Sequence, residues 1–397
     1  MNGELITPSV VVLEEGAAPV VGRAAVGHPN ALVEFKRLMG TSYAAWVGAN
    51  ADAEGGDGGS APRREVVPGP GGHTDDARLA PGGLSPARLP GEAAAALLGV
   101  LVKAAAASTG DVIDRAVVAV PVAFGRRPIE VTFAAAAKAG LRHCTPLQEP
   151  VAAALANGVD GVSLNEETAL VFDLGGGTCD VSLLEGFEGI IEVIATAGDR
   201  RLGGIDMDAA LANLAQRRGA RVGSNDGGGE DCAALLSAAE AAKVELSSAD
   251  SANLAGVAVT RAEFEEAIAP LLRRMAEGPL RSVGEQAALA WAWTPWGGDS
   301  GDDASQAPLN DSWAPPPRRV TRVVLVGAAT RVPAVRALLA RMTGLDDVGG
   351  DRSVDPELAV ALGCACHAAI LSGDLSSLEI LDGAYNATMH KRASGFD

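Results

Sequence analysis

Phe172-Asp173-Leu174-Gly175-Gly176-Gly177-Thr178-Cys179-Asp180-Val181 sets three consecutive glycines between apolar, strand-prone residues, with an aspartate on either side. Glycine tolerates positive φ and carries no Cβ, so such a turn can close backbone N–H groups around phosphate oxygens. The Thr178 hydroxyl can donate to a terminal phosphate. Two carboxylates beside a polyphosphate repel it unless a cation lies between them, so Asp173 and Asp180 imply Mg²⁺, held partly through water as that ion prefers. A glycine triplet standing alone is as often an ordinary hairpin turn. The elements around it therefore matter.

The chain has 397 residues, 48% of them apolar, enough for one large core or two lobes of ordinary size. Its formal charge of -18 argues against nucleic-acid or anionic-membrane partners, which are held by clustered Lys and Arg. The longest apolar run, Ala93 to Val102, stops at Lys103, short of the ~20 residues that cross a bilayer, so no membrane span is expected. Met1-Asn2-Gly3-Glu4 has neither a basic nor an apolar leader region. The five cysteines form no C-x-x-C pair, and reduced thiols in a reducing compartment fit best. A cytoplasmic location is the expectation, with a plastid as the alternative.

Strands are expected at Ile6 to Leu13, Val20-Val21, Arg115 to Pro121, near Cys144 to Leu147, Ala169 to Asp173, Cys179 to Leu184, Ile190 to Thr196 and Arg322 to Val326. Helices are expected from Leu84 to Thr109, Pro128 to Ala139, Val151 to Ala156, after Gly203-Gly204, through Lys243, from Pro333 to Met342 and from Pro356 to Leu371, with a short turn at Phe35 to Gly40. Asn50 to Gly83 and Trp291 to Arg318 lack periodicity and read, the first as a mobile surface segment or degraded β-structure, the second as a disordered insertion. The alternation predicts α/β lobes with mostly parallel sheets.

Taken in order, these motifs resemble the nucleotide-binding domain of the heat shock protein 70 (DnaK-type) chaperones, within the actin and sugar-kinase fold superfamily. The residues carrying the resemblance are Thr7-Pro8-Ser9, Phe35 to Gly40, Val118 to Pro121, Gln148 to Ala154, the glycine hairpin, Thr196 to Asp199, Leu202 to Asp206, Ala242 to Ser248, Val326 to Pro333 and Asp355-Pro356-Glu357. The resemblance implies a two-lobed actin-like ATPase fold, with a ribonuclease H-like motif in each lobe and ATP/ADP with Mg²⁺ between them. It implies that Lys36 orients the attacking water, that Glu149 organises the metal's water shell, that Asp173 and Asp180 surround Mg²⁺, and that Thr178 touches the terminal phosphate. Gly175, Gly176, Gly177, Gly203 and Gly204 match the phosphate-side glycines. Lys243, Ser247, Gly327 and Arg331 match the adenosine side. A J-domain co-chaperone and a nucleotide-exchange factor are the implied partners.

The chain also departs from the family pattern. Relatives carry a strand, a glycine-threonine phosphate loop and a second strand ahead of the segment that here reads Thr7-Pro8-Ser9, so lobe I is expected to be incomplete, with a thinned sheet, and ATP hydrolysis to be impaired. Ala328-Ala329 stands where Gly-Ser is usual. Ile129 stands about where a signalling arginine falls, with Arg126 and Arg127 near enough to compensate. The hairpin after the Lys243 helix is expected to be shortened to Ala249 to Gly256. Leu375 to Asp382 resembles the interdomain linker, and with a polar tail running to Asp397 no peptide-binding domain is expected. The expected layout is lobe I at 1–160, lobe II at 161–373 with an insertion at about 292–318, and a linker and tail at 374–397. Two functions stay open: a chaperone ATPase domain, or a non-catalytic module that binds nucleotide weakly or only co-chaperones.

Overall fold

Among the buried apolar side chains of the described residues, one set gathers around Val11, Leu32 and Phe35 and another around Phe172, Leu183 and Leu246. The computed structural model describes residues 6–50, 66–68, 77–80, 87–159, 167–187, 190–220, 229–292, 294, 317–349, 354–374 and 379–381. The chain divides into two compact units, Met1–Gln148 and Glu149–Asp397.

In the first unit β1 (Val10–Val12) pairs antiparallel with β2 (Val20–Val21) and β3 (Leu32–Val33). The strand expected from Ile6 is thus confined to Val10–Val12. A 3-10 turn, Phe35–Leu38, buries Phe35 and Leu38 beneath this sheet and leaves Lys36 exposed. The turn is tied down by Gly40, at φ 65°, where a Cβ would lie 2.6 Å from Pro128 N and 2.9 Å from Arg127 C. Helix α1 (Tyr43–Asn50) starts where Ser42 Oγ accepts from Ala45 N at 3.1 Å. After β4 (Val66–Val67) and β5 (Arg78–Leu79) comes α2 (Pro90–Thr109), which opens with proline and Glu92 accepting from Leu89 N at 2.7 Å. Gly110 closes it at φ 79°. β6 (Arg115–Val120), α3 (Arg126–Lys138) and β7 (His143–Gln148) follow, with β6 and β7 parallel. Among the described residues these strands make three separate small sheets, β2-β1-β3, β4-β5 and β6-β7.

Helix α2 runs past Lys103 to Thr109 as expected, and its 20 residues, with a mean hydropathy of 1.4, are long and apolar enough by length and composition to cross a membrane, a property that core helices share. Alanines at 93–96 and 104–107 supply much of that hydropathy, and Ala93, Ala94, Ala96 and Leu97 join the first unit's apolar core.

The second unit opens with α4 (Glu149–Ala156) and is built on the five-stranded sheet β13-β8-β9-β10-β14. β8 (Glu167–Leu174), β9 (Cys179–Phe187) and β10 (Ile190–Asp199) form an antiparallel meander. The links at 175–178 and 188–189 are too short for the dozen or so residues a parallel crossover needs, so the sheet is mixed rather than mostly parallel. Helices α5 (Gly204–Arg217) and α6 (Gly229–Leu246) follow, then a hairpin of β11 (Ser251–Leu254) and β12 (Val257–Thr260). That hairpin runs on to Thr260 and is not shortened at Gly256. The sequence reading missed α7 (Arg261–Met275), which Thr260 caps by accepting from Glu263 N, and which leads through a π turn at Ala276–Leu280 into α8 (Arg281–Ala287).

From 295 to 316 the stretch expected to be a disordered insertion lies outside the described residues. Its flanks are joined: Ala290 N donates to Arg318 O at 2.8 Å, and Ala292 N to Met342 O at 2.7 Å. β13 (Arg322–Val326), α9 (Pro333–Thr343), α10 (Ala359–Ser372) and β14 (Glu379–Leu381) complete the unit. β14 pairs parallel with β10, so the linker-like segment contributes an edge strand.

Strand periodicity decides the layers. Leu170, Phe172, Leu174, Cys179, Val181 and Leu183 point into the core formed with α5, α6, α7 and α9. Burying a side chain such as Phe172 contributes roughly 1.5–3 kcal/mol. On the other face α4 packs on β8 and β13, and α10 packs on α4. There Gly363 allows contact without side chains, since a Cβ at 363 would lie 2.7 Å from Ala152 Cα.

Candidate functional site

Because β8 and β9 are antiparallel and in register, Asp173 pairs with Asp180 across the ladder, and both side chains fall on the sheet face opposite the Phe172 core. Cross-strand partners hold their Cβ atoms about 4.5–5.5 Å apart, and like charges placed so are destabilising. A divalent cation between them would offset that repulsion. The donor set is hard oxygen, which suits Mg²⁺. Among the described residues no three His, Cys, Asp or Glu side chains form a metal-binding group.

The glycine turn between these aspartates is closed by Gly175 N donating to Thr178 O at 3.0 Å. It is then gripped by the start of α5: Gly204 N donates to Gly175 O at 3.0 Å and Ile205 N to Gly176 O at 2.7 Å. The approach is backbone on backbone, for a Cβ on Gly203 would sit 2.5 Å from Gly177 N. Asp206 Oδ2 accepts from Gly203 N at 2.8 Å and caps the helix. The amides at this helix start are thus spent on the hairpin and its cap. Gly203 and Gly204 act as a clasp for the glycine turn.

Lys243 lies behind that clasp. Its ammonium donates to Gly204 O at 3.2 Å and pairs with Asp208 Oδ1 at 2.7 Å, with side-chain exposures of only 11% and 8%. Burial raises the Asp208 carboxyl above the usual range, and the Lys243 ammonium pulls it the other way. On the opposite side Gly327, at φ 84°, brings the turn after β13 against the hairpin base, where a Cβ would lie 2.7 Å from Leu174 C and 3.1 Å from Gly175 N. Ala329 is buried, its methyl 3.5 Å from where a Gly204 Cβ would be. Gly175 to Gly177, Gly203, Gly204, Lys243 and Gly327 therefore meet in one place, as do Asp173, Thr178 and Asp180 on the hairpin itself.

The remaining expected site residues have their own surroundings. Ser247 Oγ donates to Lys243 O at 3.0 Å, turning the hydroxyl back onto its own helix end. Arg331 Nη2 pairs with Asp355 Oδ1 at 2.6 Å and Glu357 Oε2 at 3.4 Å, an exposed link between two loops. Asp355 also accepts from Glu357 N at 3.0 Å, and these bonds hold its carboxyl below the usual range. Glu149 occupies the first turn of α4, the helix that packs on β8. Lys36 belongs to the first unit, on its 3-10 turn.

Asp208, which no spacing rule singled out, was missed in the sequence. So was the role of Asp199, whose carboxylate receives Arg274 Nε at 2.7 Å and Nη2 at 2.9 Å, fixing the end of β10 to α7. Cys179, between the hairpin and Asp180, is fully buried, and burial with the carboxylates of Asp180, Asp173 and Asp199 pushes its thiol pKa far up.

Comparison with known proteins gives this arrangement a context. A family model described as Hsp70 protein matches residues 1–292 and 304–384. Two curated relatives, each described as chaperone protein DnaK, come from two strains of Thermus thermophilus. Each is 35% identical over 403 residues, covering 96% of this chain and 58% of the relative. The chain thus spans less than two thirds of the length of these relatives.

Proposed function

The chain belongs to the Hsp70 family, and on that premise we propose that it is a chaperone ATPase domain that binds ATP and ADP with Mg²⁺ and hydrolyses ATP. The observation that carries this reading is the register of β8 and β9, which sets Asp173 and Asp180 opposite each other at the ends of a glycine turn clasped by α5.

In this reading Gly175 to Gly177 lie against the phosphates and the Thr178 hydroxyl donates to the terminal one. Asp173 and Asp180 hold the metal, largely through its water, with Glu149 ordering that shell. Mg²⁺, when bound, neutralises phosphate charge and polarises the bond to be broken. Lys36 orients the attacking water as a point charge. Lys243, Ser247, Gly327 and Arg331 flank the adenosine. Asp208 holds the Lys243 ammonium against the Gly204 carbonyl, and thereby helps keep the clasp closed. A J-domain co-chaperone and an exchange factor are the partners this reading assigns, in a reducing cytoplasm suited to the unbridged thiols of Cys144, Cys179 and Cys366.

Calorimetry of ATP and ADP binding, with and without Mg²⁺, tests it. Micromolar or tighter binding that needs Mg²⁺ and is lost in Asp173→Ala is the expected result. Absence of binding by well-folded protein would remove the nucleotide reading, and binding without turnover would remove the ATPase.

A further inference from the structure

We propose that Gly198 is a positioning residue for the metal site: it is the seat into which the Asp180 carboxylate leans. The proposal rests on the Mg²⁺ reading above. Gly198 is the cross-strand partner of Asp180 on β10, so one row across the sheet reads Asp173, Asp180, Gly198. A Cβ on Gly198 would overlap Asp180 Oδ1 and lie 3.3 Å from its Cγ. The carboxylate therefore occupies the space a side chain would fill. Its backbone gives no other reason for glycine, because Gly198 is in extended strand and absent from the positive-φ residues. Glycine inside a strand weakens it, and such positions mark close approach by another group.

The register is itself set by a bulge. Val193 pairs with Leu184 but Ala195 pairs with Leu183, so one extra residue, Ile194, enters β10. Continued without that shift, the ladder would put Ala197 opposite Asp180. The bulge advances β10 by one residue and delivers the glycine instead. Beyond it Arg274 holds Asp199 in a two-bond grip, which fixes the strand end that carries the seat.

Leaning towards β10 takes the Asp180 carboxylate away from Asp173 on β8. That widens the gap between two like charges and leaves room for an ion with its water. A methyl at 198 would push the carboxylate back towards Asp173. The closest group is the end of a flexible, exposed side chain, and the backbone oxygen of Cys179, 3.3 Å away, has to give only a few tenths of an ångström, so the fold should tolerate the methyl while the cation site does not.

Nucleotide binding measured across a Mg²⁺ titration and in EDTA, for wild type, Gly198→Ala, Asp180→Ala and the double variant, tests this. In Gly198→Ala the Mg²⁺ concentration for half-maximal effect should rise about 10- to 100-fold, as when an outer-shell partner of a metal is lost. Affinity in EDTA and the melting temperature should match wild type, and the methyl should add nothing in the Asp180→Ala background. Crystal structures of wild type and Gly198→Ala should show the carboxylate moved. An unchanged Mg²⁺ dependence, an equal loss in EDTA, a large drop in melting temperature, or an unmoved carboxylate would each overturn the proposal. Wild type that binds no nucleotide overturns the function proposed above, and the two crystal structures then decide the seat alone.

Discussion

Replacing Asp208 by alanine should be among the most damaging single changes outside the apolar core. It leaves the Lys243 ammonium, 11% exposed, on the Gly204 carbonyl at 3.2 Å in place of an ion pair at 2.7 Å. Removing one partner of a buried pair costs about 3–5 kcal/mol, because the other charge stays in a low-dielectric site. For a domain of this size each kcal/mol lowers the melting temperature by about 2–4 °C, so the second unit should melt roughly 6–20 °C lower. The assay is urea and thermal unfolding followed by hydrogen exchange, which resolves the second unit from the first. The Gly204 and Ile205 amides should lose protection first, since they carry the clasp on the hairpin. Asp208→Leu combined with Lys243→Met removes both charges and should recover most of the loss. A cost below about 1 kcal/mol for Asp208→Ala, or a double variant as costly as the sum of the singles, would refute the reasoning.

Acid stability should depend on Arg218 and Glu263, whose Nη2 and Oε1 are 2.6 Å apart. The guanidinium and the Thr260 cap lower the Glu263 pKa to about 2, so its contribution is present above the ordinary glutamate pKa and lost as pH falls towards 2. Urea midpoints at pH 5 and pH 3 should therefore differ less in Arg218→Ala than in wild type. Cys179, with none of its surface exposed, should resist iodoacetamide in native protein and react on unfolding, while half-buried Cys144 and Cys366 react sooner; peptide mass spectrometry reads the order.

What could be read from sequence follows the range of each interaction. The glycine hairpin was legible because its aspartates, glycines and strands are contiguous, and the links at 175–178 and 188–189 already required antiparallel neighbours. Helix α7 was legible too, from the Thr260-x-x-Glu263 capping box, and was overlooked. The Asp208–Lys243 pair was not legible, since the partners sit on different helices and neither carries a spacing signature. The bulge at Ile194 leaves no compositional mark, so the sequence could not show that Gly198 rather than Ala197 faces Asp180. The end of helix α2 at Thr109 was legible because Gly110 follows it, whereas its start falls at Pro90 and not at Leu84.

The contact between α4 and α10 has a mechanical consequence. With Gly363 lying on the Ala152 backbone, the two helices have no side-chain layer between them to deform, so neither can slide along the other without a collision. They form one stiff strut. Glu149 is in the first turn of α4, and α10 ends at Ser372, just ahead of the chain that returns as β14. A displacement that begins at Glu149 should therefore move α10 together with α4, and with them the start of the chain that leads to β14.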